Sequence, residues 1–287
     1  MDNQKTLHRN HIKRFWMYAV LIAVAIVMLY PMVWLFGASF KSNAEIHSSI
    51  GFIPSSFSMQ PYVNGWTTGT EYNMGHYFIN TFEIVIPRVI FTIISVTIVS
   101  YGFARFEFPF KKQFFALLIG TLLLPQVILR IPSYLMWRSF QLLDTFAPLT
   151  LPHLFAVDAF FVFMLIQFFR GIPKELDEAA KIDGCGRFST LILILVPCIK
   201  PAIVSIGLFA FMWSMNDFMG PLIFISSVEK YPVTIALRMS MDATGSAGYE
   251  ENQIIAMSIV SLIPSIAVFM CAQKQFVDGI TTGSVKG

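Results

Sequence analysis

An aromatic and polar cluster in the C-terminal half of the chain has residue types that could bind a sugar. Trp213, Asn216 and Asp217 occupy positions i, i+3 and i+4, which share one face if a helix continues through them. An indole ring can stack on the apolar C–H face of a pyranose, while a carboxamide and a carboxylate bond its hydroxyl groups. In the alternative, the helix ends here and Asn216 and Asp217 bond backbone groups. We favour a substrate-binding role for the three side chains.

Asp158 is a second candidate, because it lies in a strongly apolar stretch. Charged groups in such stretches are costly and face a cavity or a polar partner. Two interpretations are open: Asp158 accepts hydrogen bonds on a solute path, or it pairs with a polar side chain of a neighbouring helix. His153, five residues earlier, would lie about 140° around a helix from Asp158. The two side chains are therefore not expected to meet, which argues against an intramembrane protease, and His153 is expected at the membrane interface.

Residues 171–197 form a charged segment between two apolar ones. Pro173 suits the first position of a helix, and Gly184 can adopt the left-handed conformation that ends one. Ala179 and Ala180 keep this helix thin enough for another protein to approach closely. Three carboxylates fill its first turn, at the positive end of the helix dipole; they are Glu175, Asp177 and Glu178. A helix of about ten residues is marginal alone, so it must pack against something.

The composition predicts a polytopic, all-α membrane protein. Of the 287 residues, 55% are hydrophobic and only 13% are charged, against about 25% charged in soluble domains. Several apolar segments approach the roughly 20 helical residues that cross a bilayer. The six predicted spans are residues 15–36, 82–104, 114–134, 147–169, 191–213 and 253–272. The first apolar segment is too long for a signal peptide, whose apolar region has about 7–15 residues.

The basic residues predict the orientation of these spans. With six spans, the N-terminal segment 1–14 and the C-terminal tail 273–287 lie on the same side as residues 171–197. Fourteen of the 20 Lys and Arg residues lie on that side or at its span ends. The positive-inside rule therefore places both termini and residues 171–197 in the cytoplasm.

Several functions have no support in the sequence. There is no phosphate-binding G-x-x-x-x-G-K-[ST] loop, so the chain is not expected to hydrolyse ATP. Hydrolase motifs and metal-ligand spacings are also missing, and no basic patch with interleaved aromatics suggests nucleic acid. The three cysteines, Cys185, Cys198 and Cys271, are expected to be free thiols. No catalytic residue, metal site or cofactor is predicted for this chain.

The segment 171–197 resembles the signature of the membrane-spanning subunits of ABC importers, E-A-A, three residues, G, nine residues and I-x-L-P. Glu178-Ala179-Ala180, Gly184, Ile194 and Pro197 stand at the matching positions, and Val196 replaces the usual Leu. The resemblance implies a cytoplasmic coupling helix that docks into a groove of a nucleotide-binding subunit. In this interpretation Glu178 and Asp183 make charge contacts, Ala179 and Ala180 allow close packing, and Gly184 provides the sharp exit.

The resemblance to carbohydrate importers of the maltose type extends along the chain. The turn at residues 101–111 is similar to A-Y-A-F-A-R-x-x-F-P-G-K, and the ending after Asp278 is similar to G-L-T-x-G-x-V-K-G. The Trp213 segment resembles a W-N-D/E stretch of these permeases, although Met215 stands where a second Trp is common. In that family the tail runs between the ATPase subunits, which would involve Thr282, Gly283 and Lys286. The external loop 226–252 can there reach into the cleft of the binding protein.

The resemblance implies the second permease of an inner-membrane carbohydrate importer, with an oligosaccharide as the favoured substrate. Its partners would be a homologous permease, two ATP-binding cassette subunits that bind ATP and Mg²⁺, an extracellular or periplasmic solute-binding protein, the sugar and membrane lipid. One alternative is the same machine for a glycerol-phosphate-like or acidic saccharide, which outward Arg88, Arg130 and Arg138 make conceivable, although snorkelling explains these residues equally well. Another is an ATP-independent secondary carrier, for which inverted repeats would be expected and none is seen.

Overall fold

The structure is a computed structural model that describes residues 2–67, 71–242 and 250–284. Within these ranges every regular element is a helix. The α-helices are α1 Asp2–Ala38, α2 Asn43–Ser48, α3 Gln60–Thr67, α4 Met74–Arg105, α5 Lys111–Leu122, α6 Gln126–Ser139, α7 Ala147–Thr150, α8 Ala159–Gly171, α9 Glu175–Ile182, α10 Arg187–Thr190, α11 Val196–Cys198, α12 Lys200–Met215, α13 Met219–Phe224, α14 Val233–Asp242 and α15 Glu251–Ser284. Leu151–Phe155 and Val228–Lys230 are 3₁₀ helices, and Leu191–Leu195 is a π-helix.

Four helical segments of the described chain are long and apolar enough to cross a membrane, and two bent helix pairs raise the number to six if each pair is one span. The four are Lys13–Ala38, Met74–Arg105, Ala147–Gly171 and Glu251–Gln275. The bent pairs are Lys111–Leu122 with Gln126–Ser139, and Arg187–Cys198 with Lys200–Met215. The prediction of an all-α, multi-pass membrane protein is confirmed.

Two predicted spans are bent rather than continuous. The helix axis turns by 104° between α5 and α6, where Pro125 is extended and the residue before a proline avoids the helical region. It turns by 83° between Arg187–Cys198 and Lys200–Met215. Ile199, at this second bend, has φ −104° and ψ 15°. The fifth predicted span, residues 191–213, therefore contains a π-helix and a bend, and its bounds stay a prediction.

The chain forms two compact units, the first comprising residues 1–73 and 239–261. In this unit the part of α1 from Lys13 onward exposes almost all its large apolar side chains, as expected of a helix whose surroundings are lipid or another subunit. The chain after α1 is fixed by Lys41, which is 1% exposed and donates from Nζ to the carbonyl oxygens of Ser49 and Gly51. Asn252 Nδ2 in turn donates to the Lys41 carbonyl oxygen at 3.1 Å.

The second unit, residues 74–238 and 262–287, is built around α4. This helix packs against α8, against α12 and against the 3₁₀ helix 151–155. Fully buried apolar residues from α4, α8, α12 and the π-helix form the core; they include Val96, Phe161, Val162, Leu165, Ile166, Phe169, Leu195 and Ile206. The core therefore anchors both the segment that contains Asp158 and the segment that follows α9.

Candidate coupling helix and solute-path residues

The charged segment contains a short helix, α9, with the predicted distribution of charge. Glu175, Asp177 and Glu178 lie in its first turn and Lys181 in its last, an order that the helix dipole favours at both ends. The helix begins at Glu175 with Lys174 as N-cap, so Pro173 precedes the helix and does not occupy its first position. The carbonyl groups of its last turn have no partner within the helix, so the residues that follow must satisfy them.

The C-terminal end of α9 is a Schellman motif. The Cys185 N–H donates to the Ala180 carbonyl at 2.9 Å, and the Gly184 N–H donates to the Lys181 carbonyl at 3.1 Å. These are the two bonds that define the motif, which requires a left-handed residue at the glycine position. Gly184 has φ +79°, as its place after the helix predicts. The chain therefore leaves α9 in a sharp turn with its last carbonyl groups satisfied.

One face of α9 is exposed and the other is buried. Glu178, Ala179, Asp183 and Gly184 are exposed, whereas Ala180 is only 2% exposed. The expectation that both alanines admit a partner therefore needs correction, because Ala180 packs inside its own chain and Ala179 alone faces outward. Sequence reasoning also missed three exposed apolar side chains in this segment; they are Leu176, Ile182 and Phe188.

An arginine at the end of α4 contacts α9, and sequence reasoning missed it. Arg105 Nε lies 3.1 Å from Asp177 Oδ2, and only 6% of the Arg105 side chain is exposed. Neither atom has a well-aligned hydrogen bond, so this contact is an ion pair and not an aligned hydrogen bond. Arg105 Nη2 also donates to the Ile172 carbonyl at 3.0 Å. Arg105 and Asp177 are 72 positions apart in the chain, and no local pattern in the sequence indicates that they pair.

Asp158 is paired within the chain. Asp158 Oδ2 lies 2.7 Å from His153 Nδ1 and accepts a hydrogen bond from Thr92 Oγ1 at 3.2 Å. The expectation that His153 and Asp158 do not meet was wrong, because the segment is not one continuous helix. Ala156, with φ 52°, separates a 3₁₀ helix from α8 and turns the two side chains together. His153 is 8% exposed and therefore packs inside the chain, while its position relative to the membrane interface stays a prediction.

The Trp213 cluster differs from the predicted arrangement. Helix α12 ends at Met215, with Asn216 as C-cap, so the helix does not continue through Asp217, as the second of the two alternatives has it. Asn216 Nδ2 donates to the Met212 carbonyl at 2.8 Å. The Trp213 ring stacks on Phe161 at 4.9 Å between centroids with 20° between planes, and Trp213 remains 48% exposed.

Asp217 forms an ion pair with the arginine of the second span. Asp217 Oδ2 lies 3.0 Å from Arg88 Nη1, and about a fifth of each side chain is exposed. Asp217 Oδ1 accepts the Gly220 N–H at 3.0 Å, which satisfies an amide in the first turn of α13. Arg88 therefore has a charged partner within the chain, which neither of the two interpretations of the outward arginines included. The backbone bonds of Asn216 and Asp217 are those of the helix-end alternative, and the substrate-binding role of the cluster stays a prediction.

A second carboxylate, Asp144, links two loops of the same unit and was not singled out by sequence. Its Oδ1 accepts the N–H groups of Ser226 and Ser227, both at 2.9 Å, and its N–H donates to the Phe224 carbonyl at 2.8 Å. Ser227 Oγ and Lys230 Nζ contact Oδ2. Burial raises the pKa of Asp144, but these hydrogen bonds lower it by more, so the pKa lies well below its ordinary value.

The remaining predicted sites lie in the C-terminal part of the chain. Thr282 and Gly283 fall in the last turn of α15, which continues to Ser284 through most of the predicted tail, and Lys286 lies outside the described residues. The predicted external loop contains the 3₁₀ helix Val228–Lys230 and α14, with residues 243–249 outside the described ranges. The described part of the chain has no group of three His, Cys, Asp or Glu side chains that could hold a metal.

The family of the chain follows from a comparison with protein-family models. Residues 10–282 match the model described as "Binding-protein-dependent transport system inner membrane component". The chain belongs to this family. Its recognition as a permease of an ABC importer is confirmed, and with it the expectation of a transport protein.

The permease is similar over most of its length to named relatives. It is 27% identical to the diacetylchitobiose uptake system permease protein NgcG of Streptomyces coelicolor, covering 94% of this chain and 88% of the relative. It is 30% identical to the polygalacturonan/rhamnogalacturonan transport system permease protein YtcP of Bacillus subtilis, covering 97% of this chain and 100% of the relative. It is also 30% identical to the sn-glycerol-3-phosphate transport system permease protein UgpE of Rhizobium meliloti, covering 92% and 94%.

Solved structures share the fold of the permease. A chain of a bacterial ABC transporter involved in the import of the acidic polysaccharide alginate superimposes with a TM-score of 0.78 at 23% identity, covering 91% of this chain and 95% of that one. A chain of an alginate transporter in complex with alginate pentasaccharide-bound periplasmic protein gives a TM-score of 0.64 at 14% identity. At these identities the likeness concerns the fold alone.

Proposed function

We propose that this permease is one half of the translocation pathway of an ATP-driven, binding-protein-dependent carbohydrate importer, with an oligosaccharide as substrate. Its partners are a homologous permease, two ATPase subunits that bind ATP and Mg²⁺, and a solute-binding protein. It lies in the cytoplasmic membrane with both termini and α9 on the cytoplasmic side. The exposed face of α9 is the observation that carries this proposal. It offers acidic, small and apolar groups to a partner, and the chain leaves the helix in a sharp turn at Gly184.

The choice of a carbohydrate rests on the relatives and on Trp213. Relatives named for saccharides match almost the whole chain, and the half-exposed Trp213 ring is held flat on Phe161. A fixed, exposed indole can stack on a sugar ring. Asp158 and Asp217 contribute polar groups to the solute path. Asp158 does so together with its partners His153 and Thr92, and Asp217 together with Arg88. The relative named for sn-glycerol-3-phosphate keeps a phosphorylated or acidic solute as the second candidate.

Ala179 offers the sharpest test of the ATPase-coupling proposal. Ala179→Arg places a long cation on the exposed face of α9 without disturbing the buried Ala180. The complex that co-purifies with the permease is reconstituted in vesicles, and its ATP hydrolysis is measured with and without the loaded binding protein. We expect the substitution to abolish the stimulation of ATP hydrolysis by the binding protein.

Ala44→Arg is the matched control, since Ala44 is also exposed on a short helix, α2, which the charge distribution places on the other side of the membrane. The control should keep the stimulation. Equal stimulation in wild type and Ala179→Arg contradicts the coupling role of α9. Uphill uptake by the purified permease without any ATPase contradicts the importer itself and favours a secondary carrier.

A further inference from the structure

The segment that carries α9 is held at two points by the end of α4. At the entry of the segment, Arg105 forms the ion pair with Asp177 at 3.1 Å and donates to the Ile172 carbonyl at 3.0 Å. At its exit, Tyr101 Oη donates to the Arg187 carbonyl at 3.1 Å. One helix end therefore contacts the residues before, within and after α9.

An aromatic ring reinforces the contact at the exit. The Arg187 guanidinium lies over the Phe106 ring at 5.0 Å from the centroid, within the range of a cation–π interaction. Phe106 packs edge-on against Tyr101 at 5.0 Å, and Tyr101 is 7% exposed. Two neighbouring aromatic residues of α4 and the following turn thus hold Arg187 by its backbone and its side chain.

We propose that Tyr101, Arg105 and Phe106 form a clamp that makes α9 move with α4 as one body, with Arg105 as its principal positioning residue. The clamp deepens the proposed function, on which it rests, because it assigns the transmitting helix. The connection along the chain from α9 to α12 passes through a π-helix and an 83° bend, and irregular helical segments often mark hinges. The part of α4 between Pro87 and its end at Arg105 is an uninterrupted helix, so a displacement of α9 passes along α4.

The other end of the transmission lies on the same helix. Arg88 and Thr92 of α4 contact Asp217 and Asp158, respectively, two residues predicted for the solute path. A displacement of α9 that reaches α4 through Arg105 therefore reaches the contacts of both aspartates.

The test measures coupling in the reconstituted complex with its co-purified partners. Arg105→Gln should lower the ratio of binding-protein-stimulated to basal ATP hydrolysis about tenfold, as expected from loss of a charge-assisted hydrogen bond and an ion pair. Arg105→Lys keeps the charge and a donor and should restore most of the ratio. Asp177→Asn, in a side chain that is 24% exposed, should give a smaller loss and serves if Arg105→Gln does not fold.

Glu107→Gln is the matched control, because it breaks the Lys111–Glu107 ion pair in the same turn, where the Glu107 side chain is 91% exposed. Such exposed pairs contribute little, so the ratio should not change. An unchanged ratio in both Arg105→Gln and Asp177→Asn overturns the clamp while leaving the proposed function intact. Absence of any ATPase in the wild-type complex overturns the proposed function first.

A distance measurement separates transmission from simple stability. Spin labels at Glu175 on α9 and Ile98 on α4, both exposed, are introduced after Cys185, Cys198 and Cys271 are replaced by Ser. The distance between the labels should be the same with and without ATP in the wild type, and should broaden or shift with ATP in Arg105→Gln. A wild-type distance that changes on ATP binding shows that α9 moves independently of α4 and refutes the clamp.

Discussion

The Arg88–Asp217 pair allows a double-mutant cycle that separates structure from substrate binding. The two side chains are 3.0 Å apart and about four-fifths buried, so solvent screens their interaction only partly. Loss of one partner leaves the other charge without its counter-ion. We expect this to cost about 2–4 kcal/mol, somewhat less than the roughly 3–5 kcal/mol of a fully buried pair, because about a fifth of each side chain is exposed. Arg88→Gln with Asp217→Asn leaves no unpaired charge, and we expect a coupling energy of about 2 kcal/mol between the substitutions.

Asp217→Asn is the informative single substitution because the amide keeps an acceptor oxygen for the Gly220 N–H. Unfolding of the purified permease in detergent by a denaturant gives the four free energies of the cycle, and uptake by the reconstituted complex gives the functional comparison. If Asp217 also binds solute, the double variant regains stability while its uptake stays low. A coupling energy below about 0.5 kcal/mol, typical of exposed pairs, refutes the structural reasoning.

Two further predictions concern single conformations and titrations. Gly184→Ala should destabilise the end of α9 by about 1 kcal/mol, because φ is +79° there and the left-handed region is unfavourable for L-residues other than Asn and Asp. Hydrogen exchange of the Cys185 amide should therefore be faster in Gly184→Ala than in Gly184→Asn. Gly102→Ala in α4, where an added Cβ meets nothing within 4 Å, should leave the exchange rate of the Cys185 amide unchanged. Since the folded pKa of Asp144 is depressed, its contribution to stability is fully present above the ordinary carboxyl pKa and is lost only as the pH falls through the lower folded value. Proteolysis at Ser226–Ser227 should therefore stay slow at pH 5 and accelerate in Asp144→Asn, and equal rates in both proteins would contradict the assignment.

Local rules in the sequence predicted the short helix and its end. The acidic first turn of α9 and the left-handed Gly184 follow from residue types within a few positions of one another, and both appear in the structure. The spans follow from apolar length. The third predicted span contains two prolines, and either could bend a helix. Pro132 lies inside α6, whereas the axis turns between α5 and α6, next to Pro125. The sequence does not distinguish them, because the cost of a proline depends on which neighbours satisfy the freed carbonyl.

The contacts that the sequence missed are long-range or depend on unusual backbone conformations. Arg88 and Asp217 are 129 positions apart in the chain, and only the packing of α4 brings them together. His153 and Asp158 meet because Ala156 has φ 52°, a conformation that alanine rarely adopts and that no neighbouring residue signals. Side chains brought together in this way cannot be predicted from helical spacing.

The proposed contact between α9 and an ATPase subunit is tested most directly by crosslinking. The natural cysteines are replaced, and a single cysteine is introduced at position 179. A separate variant with its single cysteine at position 44 serves as control. A short bifunctional reagent should join residue 179, and not residue 44, to the co-purified nucleotide-binding subunit. Absence of this adduct, together with labelling of residue 179 by a membrane-impermeant reagent applied to intact cells, would contradict the assignment of α9 as a cytoplasmic coupling helix.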